Sequence, residues 1–344
     1  MASRTQLSFA TCNLYNLNEP GLRIYRDSDG WSQAEYDKKI AWMASALESM
    51  RSDVFGFQEL WHRDSLKAAF AAAGMASKYK LLVPSSHTGQ KIICAAAVRK
   101  EILVGGPDWI TDFPADFHLE SGGDDTQSTG IVVNIDSFSR PVLYFKVRPR
   151  SDGRLISVYV AHLKSKLPTS IYKEPWYVKA KHSKHSEGLG AAIATIRRTA
   201  EAAALRMILT EEMKDTDRPV VVLGDLNDAQ HSNTLNILTG QPNYLLSGLS
   251  TGGSDVNLYT VGTLQEYRSL RDVYYTHVHQ NFRESLDHIL VSQEFYDNSK
   301  KRHWAFNGMM INNDHLNLDD HRASGSSDHA FVRAQFEYRP AKNS

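Results

Sequence analysis

The chain has 344 residues, 42% hydrophobic and 23% charged, with 39 Lys and Arg balanced by 39 Asp and Glu. This composition speaks against overall disorder and supplies a large core, the length allows one large α/β domain or two smaller ones, and zero formal net charge means that any polyanion must be met by a local patch. Two cysteines, Cys12 and Cys94, make neither a disulfide framework nor a zinc ligand set, and no apolar leader or membrane-length run is present, so a soluble cytoplasmic protein is expected.

In chain order, residues 7–14 read as a first strand that ends at Asn13, a residue equally at home in a cap or a turn. Ser32 and Glu35 form a capping box for a helix with the apolar stripe Tyr36, Ile40, Met43, Leu47 and Met50. Residues 54–60 form an apolar strand that delivers Gln58 and Glu59 at its far end. A glutamate there is costly to bury unless it is paired or holds a metal. A short helix over 64–73 stopped by Gly74, and paired strands over 80–84 and 91–99, read as scaffold. From 105 to 130 periodicity is lost, and Ser121-Gly122-Gly123-Asp124-Asp125-Thr126 reads as a long loop. Strands return at 131–136, 141–147 and 154–161, the last ending in His162.

Between Lys164 and His185, lysines 164, 166, 173, 179, 181 and 184 alternate with Tyr172, Trp176 and Tyr177. That mixture suits a surface that tracks a phosphate backbone and stacks bases, and it also suits a solvated loop. A long helix over 189–214 follows, with Leu189, Ile193, Ile196, Ala200, Ala203 and Met207 as its expected buried seam. The strand Val220-Val221-Val222-Leu223 then runs into Gly224, taken as a tight turn, and into Asp225 and Asn227, expected to point to one side of still-extended chain. After a short helix from 233 closed by Gly240, residues 241–262 read as loop, Asp287 enters a strand, and Asp328-His329 opens the last strand at 330–336. If the strands that begin with these residues run antiparallel to those that end in Asn13, Glu59, His162 and Asp225, all gather at one sheet edge.

The ordered set Thr11-Cys12-Asn13, Gln58-Glu59, His162-Leu163, Gly224-Asp225-Leu226-Asn227, Leu286-Asp287 and Ser327-Asp328-His329 resembles the endonuclease/exonuclease/phosphatase superfamily, of deoxyribonuclease I-like fold. The resemblance covers nearly the whole chain and implies one domain over 1–344, an α/β/β/α four-layer sandwich with two central mixed β-sheets. The strand and helix alternation alone reaches only α/β. The resemblance further implies that Glu59 is the principal Mg2+ or Mn2+ ligand, with Asn13 and Asp328 in support. Asp287 would orient His329, which with Asp225 activates or positions the attacking water, and Asn227 and His162 would bind the scissile phosphate.

The expected function is metal-dependent phosphodiester hydrolysis, with a nuclease acting on DNA or RNA as first choice. Lys164, Lys166, Lys179, Lys181 and Lys184 are its candidate substrate contacts. A phosphatase or phosphodiesterase of small-molecule or lipid phosphates is the alternative. No membrane and no obligate protein partner are expected. Asn313-Asp314-His315 falls outside the matched motifs and reads as a loop cap, with an auxiliary metal contact as the other possibility.

Overall fold

The computed structural model describes residues 3–25, 28–123, 129–244, 253–270, 275–317 and 320–342. In chain order its strands are β1 (Gln6–Leu17), β2 (Val54–His62), β3 (Tyr79–Leu82), β4 (Thr88–Arg99), β5 (Leu103–Asp112), β6 (Glu120–Ser121), β7 (Ile131–Val132) and β8 (Ser137–Val147). There follow β9 (Ile156–His162), β10 (Val220–Asp225), β11 (Tyr259–Thr260), β12 (His277–His279), β13 (Phe282–Glu284), β14 (Asp287–Val291), β15 (Trp304–Asn312) and β16 (Phe331–Tyr338). The helices are α1 (Gln33–Met50), α2 (Arg63–Ala72), α3 (Lys179–His182), α4 (Ser186–Met213), α5 (Asn233–Thr239), α6 (Val261–Glu266) and α7 (His321–Ser324).

Two six-stranded mixed sheets, ordered β15-β16-β1-β2-β4-β3 and β11-β14-β10-β9-β8-β5, pack face to face. Their shared core interleaves Leu7, Phe9, Val54 and Phe336 of the first sheet with Val158, Val160, Val221 and Leu223 of the second. Helices α1 and α2 cover the outer face of the first sheet through Met43, Leu47 and Phe70 against Phe55 and Phe57. Helix α4 covers the second through Ala202, Leu205 and Leu209 against Val220 and Val222. The result is the α/β/β/α sandwich expected from the motifs. Strands buried on both faces explain the unbroken apolar runs of β2 and β10.

The direction of the strands places the site. β1 and β2 are parallel, as are β9 and β10; His162 and Asp225 are the last residues of their strands, and Asn13 and Glu59 lie toward the C-terminal ends of theirs, where regular pairing is interrupted. β16 and β14 run antiparallel to β1 and β10, so Asp287 and the turn before β16 start where the others stop. Asn13 Nδ2 donates to Asp225 Oδ2 at 3.0 Å across the two sheets, which fixes both sets on one rim.

Three local expectations need correction. Residues 103–112 form edge strand β5 rather than loop; its faces are largely exposed, so it lacks the apolar alternation that marks a half-buried strand. Within the same stretch Asp124, Asp125 and Thr126 lie outside the described residues. Of the strand expected at 131–136 only Ile131–Val132 pairs, in a two-residue ribbon with β6, both residues exposed, and the sheet strand begins at Ser137. In the 241–262 segment, Tyr259–Thr260 joins the second sheet and Val261 starts α6, while 245–252 lie outside the described residues.

The seam of α4 also differs. Leu189, Ile193 and Ile196 are 39%, 39% and 45% exposed, whereas Gly190, Ala194, Arg198, Ala202, Leu205 and Leu209 face inward. The N-terminal turns are covered by chain around Pro168 and Thr169, with Thr169 N donating to Gly190 O at 3.0 Å, so a glycine and alanines mark the inner face there. The capping box of α1 is formed as expected: Ser32 N donates to Glu35 Oε2 at 2.8 Å and Glu35 N to Ser32 Oγ at 3.3 Å.

Candidate active site

The focus of the rim is one carboxylate oxygen. Asp225 Oδ2 accepts from Asn13 Nδ2 at 3.0 Å, and lies 3.4 Å from His162 Nε2 and 3.9 Å from His329 Nε2. Its other oxygen accepts the Asn227 amide at 3.0 Å. Asn227 takes a left-handed φ of 54°, so Asp225 and Asn227 close an Asx turn instead of pointing together from extended chain. Asn227 Nδ2 donates to Leu163 O at 3.0 Å, which leaves its second amide hydrogen without an acceptor among the described residues. Gly224 is not the pivot of this turn. It lies within β10, where a Cβ would come 2.2 Å from Ala161 O, so glycine is needed for close approach of neighbouring strands.

Glu59 is held by backbone geometry that the sequence conceals. Tyr15, Asn16 and Glu59 have φ values of 48°, 55° and 61°, where the paired ends of β1 and β2 lose register. Non-glycine residues in this region cost about 1–3 kcal/mol each and persist where surrounding structure over-determines them, commonly at functional sites. Here Trp31 Nε1 donates to Asn16 O at 2.8 Å and Trp61 Nε1 to Asn16 Oδ1 at 3.0 Å, while Asn16 N donates to Glu59 Oε2 at 3.0 Å. Two indoles thus aim one amide, and the amide aims the carboxylate.

His329 is fixed from both sides. Its Nδ1 lies 2.8 Å from Asp287 Oδ2, and its main-chain N donates to Ser327 Oγ, which itself donates to Asn13 O at 2.8 Å. His315 Nε2 lies 2.9 Å from His329 O, so the Asn313-Asp314-His315 turn braces this rim from behind. Thr276 Oγ1 accepts the amides of Leu286 and Asp287 and anchors the β12–β13 ribbon to the same rim.

Electrostatics divides the titratable groups. Burial alone would discharge His329, but Asp287 and Asp225 outweigh it and hold its pKa well above the ordinary histidine value. Burial, aided by Arg140 and His329, pushes His162 well below it, leaving a neutral imidazole. Burial and the nearby Asp328 raise Glu59, and burial with Asp287 and Glu59 raises Asp225 against the pull of His329. A carboxylate cluster in which burial and mutual repulsion outweigh the cations beside it, His329 and Arg140, is short of positive charge.

That lack tests whether a divalent cation fits. Asp287 Oδ1 and Asp328 Oδ1 are buried without a hydrogen-bond donor among the described residues, and a cation or its hydration shell satisfies such oxygens. Asp225, Asp287 and His329 bring ligand atoms within 4.8 Å of one another, as do His277, Asp328 and His329. Carboxylate and carboxamide oxygens dominate the rim, the donors that Mg2+ and Mn2+ prefer.

A pH effect follows. Because Glu59 and Asp225 have raised pKa values in the folded state, they favour folding when protonated, and in metal-free protein that contribution is lost as pH rises from the ordinary carboxylate range through the raised values. A divalent cation competes with those protons, so Mn2+ is expected to raise the Tm more at about pH 8 than at about pH 5.5. Equal Tm shifts at both pH values would remove these carboxylates from the cation's site.

Four contributors carried no sequence signal. Arg140 on β8 donates from Nη1 to Leu163 O at 3.0 Å, and its charge reaches both His162 and Glu59. An arginine in an ordinary strand carries no motif. His277 is bridged to His329 with ring centroids 4.7 Å apart, a contact made through a ribbon of three-residue strands. Trp31 and Trp61 would otherwise pass as core residues.

The predicted lysines divide. Lys164 Nζ is occupied by Ser165 and Leu167 carbonyls, and Lys166 Nζ lies 2.9 Å from Glu284 and 3.6 Å from Asp228, so both stand beside the rim with local partners. Lys179 and Lys181 on α3, and Lys184 in the following turn, are exposed, as are Tyr172 and Trp176. No contact joins these three lysines to the rim among the described residues, though their segment leaves from the end of β9 at His162.

Several solved structures share the fold. One is an endonuclease/exonuclease/phosphatase from Bacteroides vulgatus, 14% identical over 98% of this chain and 100% of that one, TM-score 0.54. Another is D. rerio TDP2 complexed with a single-strand DNA product, 17% identical over 97% and 100%, TM-score 0.54. A third is the human Nocturnin catalytic domain with a bound sulfate anion, 15% identical over 98% and 96%, TM-score 0.55. No curated protein matches the sequence. No helix among the described residues is long and apolar enough to cross a membrane. The sequence profile of the Endonuclease/Exonuclease/phosphatase family matches residues 10–329, a span holding every residue of the rim described above, and the chain belongs to that family.

Proposed function

We propose that the chain is a Mg2+- or Mn2+-dependent phosphodiesterase that acts on nucleic acid. The observation that carries this reading is the convergence of Asn13, His162 and His329 on Asp225, beside Glu59 and Asp328, at one rim of the sandwich. In this reading Glu59, Asn13 and Asp328 would hold a divalent cation, which would supply a Lewis acid for a phosphoryl oxygen and positive charge for the leaving oxygen. Asp225, aligned by Asn13 and the Asn227 amide, orients the attacking water with His329. Asp287 fixes the orientation of the His329 ring and keeps it charged. Neutral His162 and the second amide hydrogen of Asn227 contact the phosphate, and Arg140 contributes a fixed positive charge beside them.

The exposed lysines and aromatics after His162 support a polynucleotide substrate, and the single-strand DNA product held by D. rerio TDP2 agrees with that choice. The small-molecule or lipid phosphate alternative draws on the exposed aliphatic residues Leu167, Val178 and Leu189 in the same region. Salt dependence separates them. Each phosphate neutralised by a lysine releases counterions, so replacing Lys179, Lys181 and Lys184 by alanine is expected to flatten the ionic-strength dependence of kcat/KM on single-stranded polynucleotide and to spare hydrolysis of a small diester. An unchanged salt slope on the polymer would move the small-phosphate alternative to first place.

A further inference from the structure

The turn that delivers Asp328 and His329 rests on α1. Gly325, at a φ of 77°, lies so close that a Cβ would come 2.7 Å from Lys39 N and 2.6 Å from Lys38 C, so only glycine permits this approach. Lys38 Nζ donates to Ala323 O at 3.1 Å, and Arg322 Nε pairs with Glu35 Oε1 at 2.7 Å. These contacts are at the surface. Lys39 is different: it is fully buried, and its Nζ donates to Ser326 O at 2.8 Å, two residues before Asp328.

A buried ammonium with no carboxylate beside it is costly, and such groups are retained where they perform a task. Among the described residues none pairs with Lys39 as a carboxylate. Its charge is met by rings instead, with Nζ 5.0 Å from the Tyr15 centroid, 5.4 Å from Trp31 and 5.9 Å from Trp42. Two of these rings belong to the apparatus that aims Glu59: Tyr15 sits in the left-handed turn of β1, and Trp31 donates to Asn16. Trp42 packs edge-on against His315 at 4.8 Å, and His315 in turn holds the carbonyl of His329. The amine therefore stands at the junction of the Glu59 support and the Asp328–His329 turn; burial pushes its pKa down to about 7, and the charges of Asp328 and Glu59 oppose that fall.

We infer that Lys39 is a positioning residue, a buried pin whose amine locks the Ser326–His329 turn against α1 and holds Asp328 in register with Glu59. A surface lysine on α1 would serve helix solubility; this one reaches inward to a main-chain carbonyl that a shorter or uncharged side chain cannot grip as firmly. The effect on activity rests on the phosphodiesterase reading, whereas the effect on the turn does not.

The test compares wild type with Lys39→Met, which keeps the length and the apolar stem and removes the ammonium. Hydrogen exchange over residues 325–330 is expected to speed up while exchange in β1 and β10 stays as in wild type. Mn2+ affinity, measured by calorimetry, is expected to fall about 10–100-fold, and kcat by a similar factor with KM little changed, as when other groups that orient metal ligands are removed. Lys39→Arg, which keeps charge and donors, is expected to restore slow exchange. If Lys39→Met does not fold, Lys39→Ala with and without ethylammonium is compared, and the amine is expected to slow exchange of the turn and recover activity. Unchanged exchange over 325–330, or wild-type Mn2+ affinity in a folded variant, would overturn the inference. A wild-type protein that binds no Mn2+ would instead refute the proposed function, and exchange of the turn would still decide the role of Lys39.

Discussion

Glu59→Gln is expected to lower kcat/KM on phosphodiesters about 1,000-fold and to weaken Mg2+ and Mn2+ binding, with the Tm unchanged or raised. The side chain keeps its length and still accepts from Asn16 N, so the bend at the end of β2 survives. What is lost is the negative charge. In metal-free protein that charge is a liability, since burial and Asp328 already push the Glu59 carboxyl toward its neutral form. A group that opposes folding and is aimed by Asn16 under two tryptophans is explained by a cationic ligand, and stability and activity should therefore move in opposite directions. Thermal melts and calorimetric titration of both proteins check this. Loss of activity together with loss of fold would indicate a structural carboxylate.

His329→Ala is expected to reduce kcat about 100- to 10,000-fold, the range of general acid–base groups, and Asp287→Asn to reduce it less. The two act as a unit: Asp287 Oδ2 is 2.8 Å from His329 Nδ1, and the carboxylate is the strongest opponent of burial in keeping the imidazole charged. Once His329 is absent, Asp287 has nothing to orient, so the double variant should be no slower than His329→Ala alone. The single variant Asp287→Asn should also shift the pH profile, because its amide cannot support the imidazolium. Effects that multiply independently in the double variant would dissolve the pair.

How much of this was legible in the sequence depended on whether a residue's role is local. The capping box at Ser32 and Glu35, the apolar runs of β2 and β10, and the polar residues at strand termini are written in short stretches, and the family's order of motifs links them over the whole chain. The inner face of α4 is hidden from residue type because the apolar residues Leu189, Ile193 and Ile196 lie outward, while Gly190 and Ala194, which carry little hydrophobic signal, face inward. Edge strand β5 lacked alternation because little of it is covered. Arg140, Lys39 and His277 matter through partners about 20 to 290 residues distant, a relation that only tertiary structure creates. The left-handed backbone of Glu59 likewise leaves no mark on residue type, since glutamate is a poor choice for that conformation and is there for its carboxylate.

The proposed chemistry is hydrolysis of phosphodiesters at this rim with a divalent cation held by Glu59. The most direct measurement is release of nitrophenol from bis-p-nitrophenyl phosphate by chelator-treated protein, before and after Mg2+ or Mn2+ is restored, beside the same assay on Glu59→Gln. Turnover that requires the cation, far exceeds that on p-nitrophenyl phosphate and disappears in Glu59→Gln is the predicted result. Turnover indifferent to the chelator, or equal in Glu59→Gln, would contradict it.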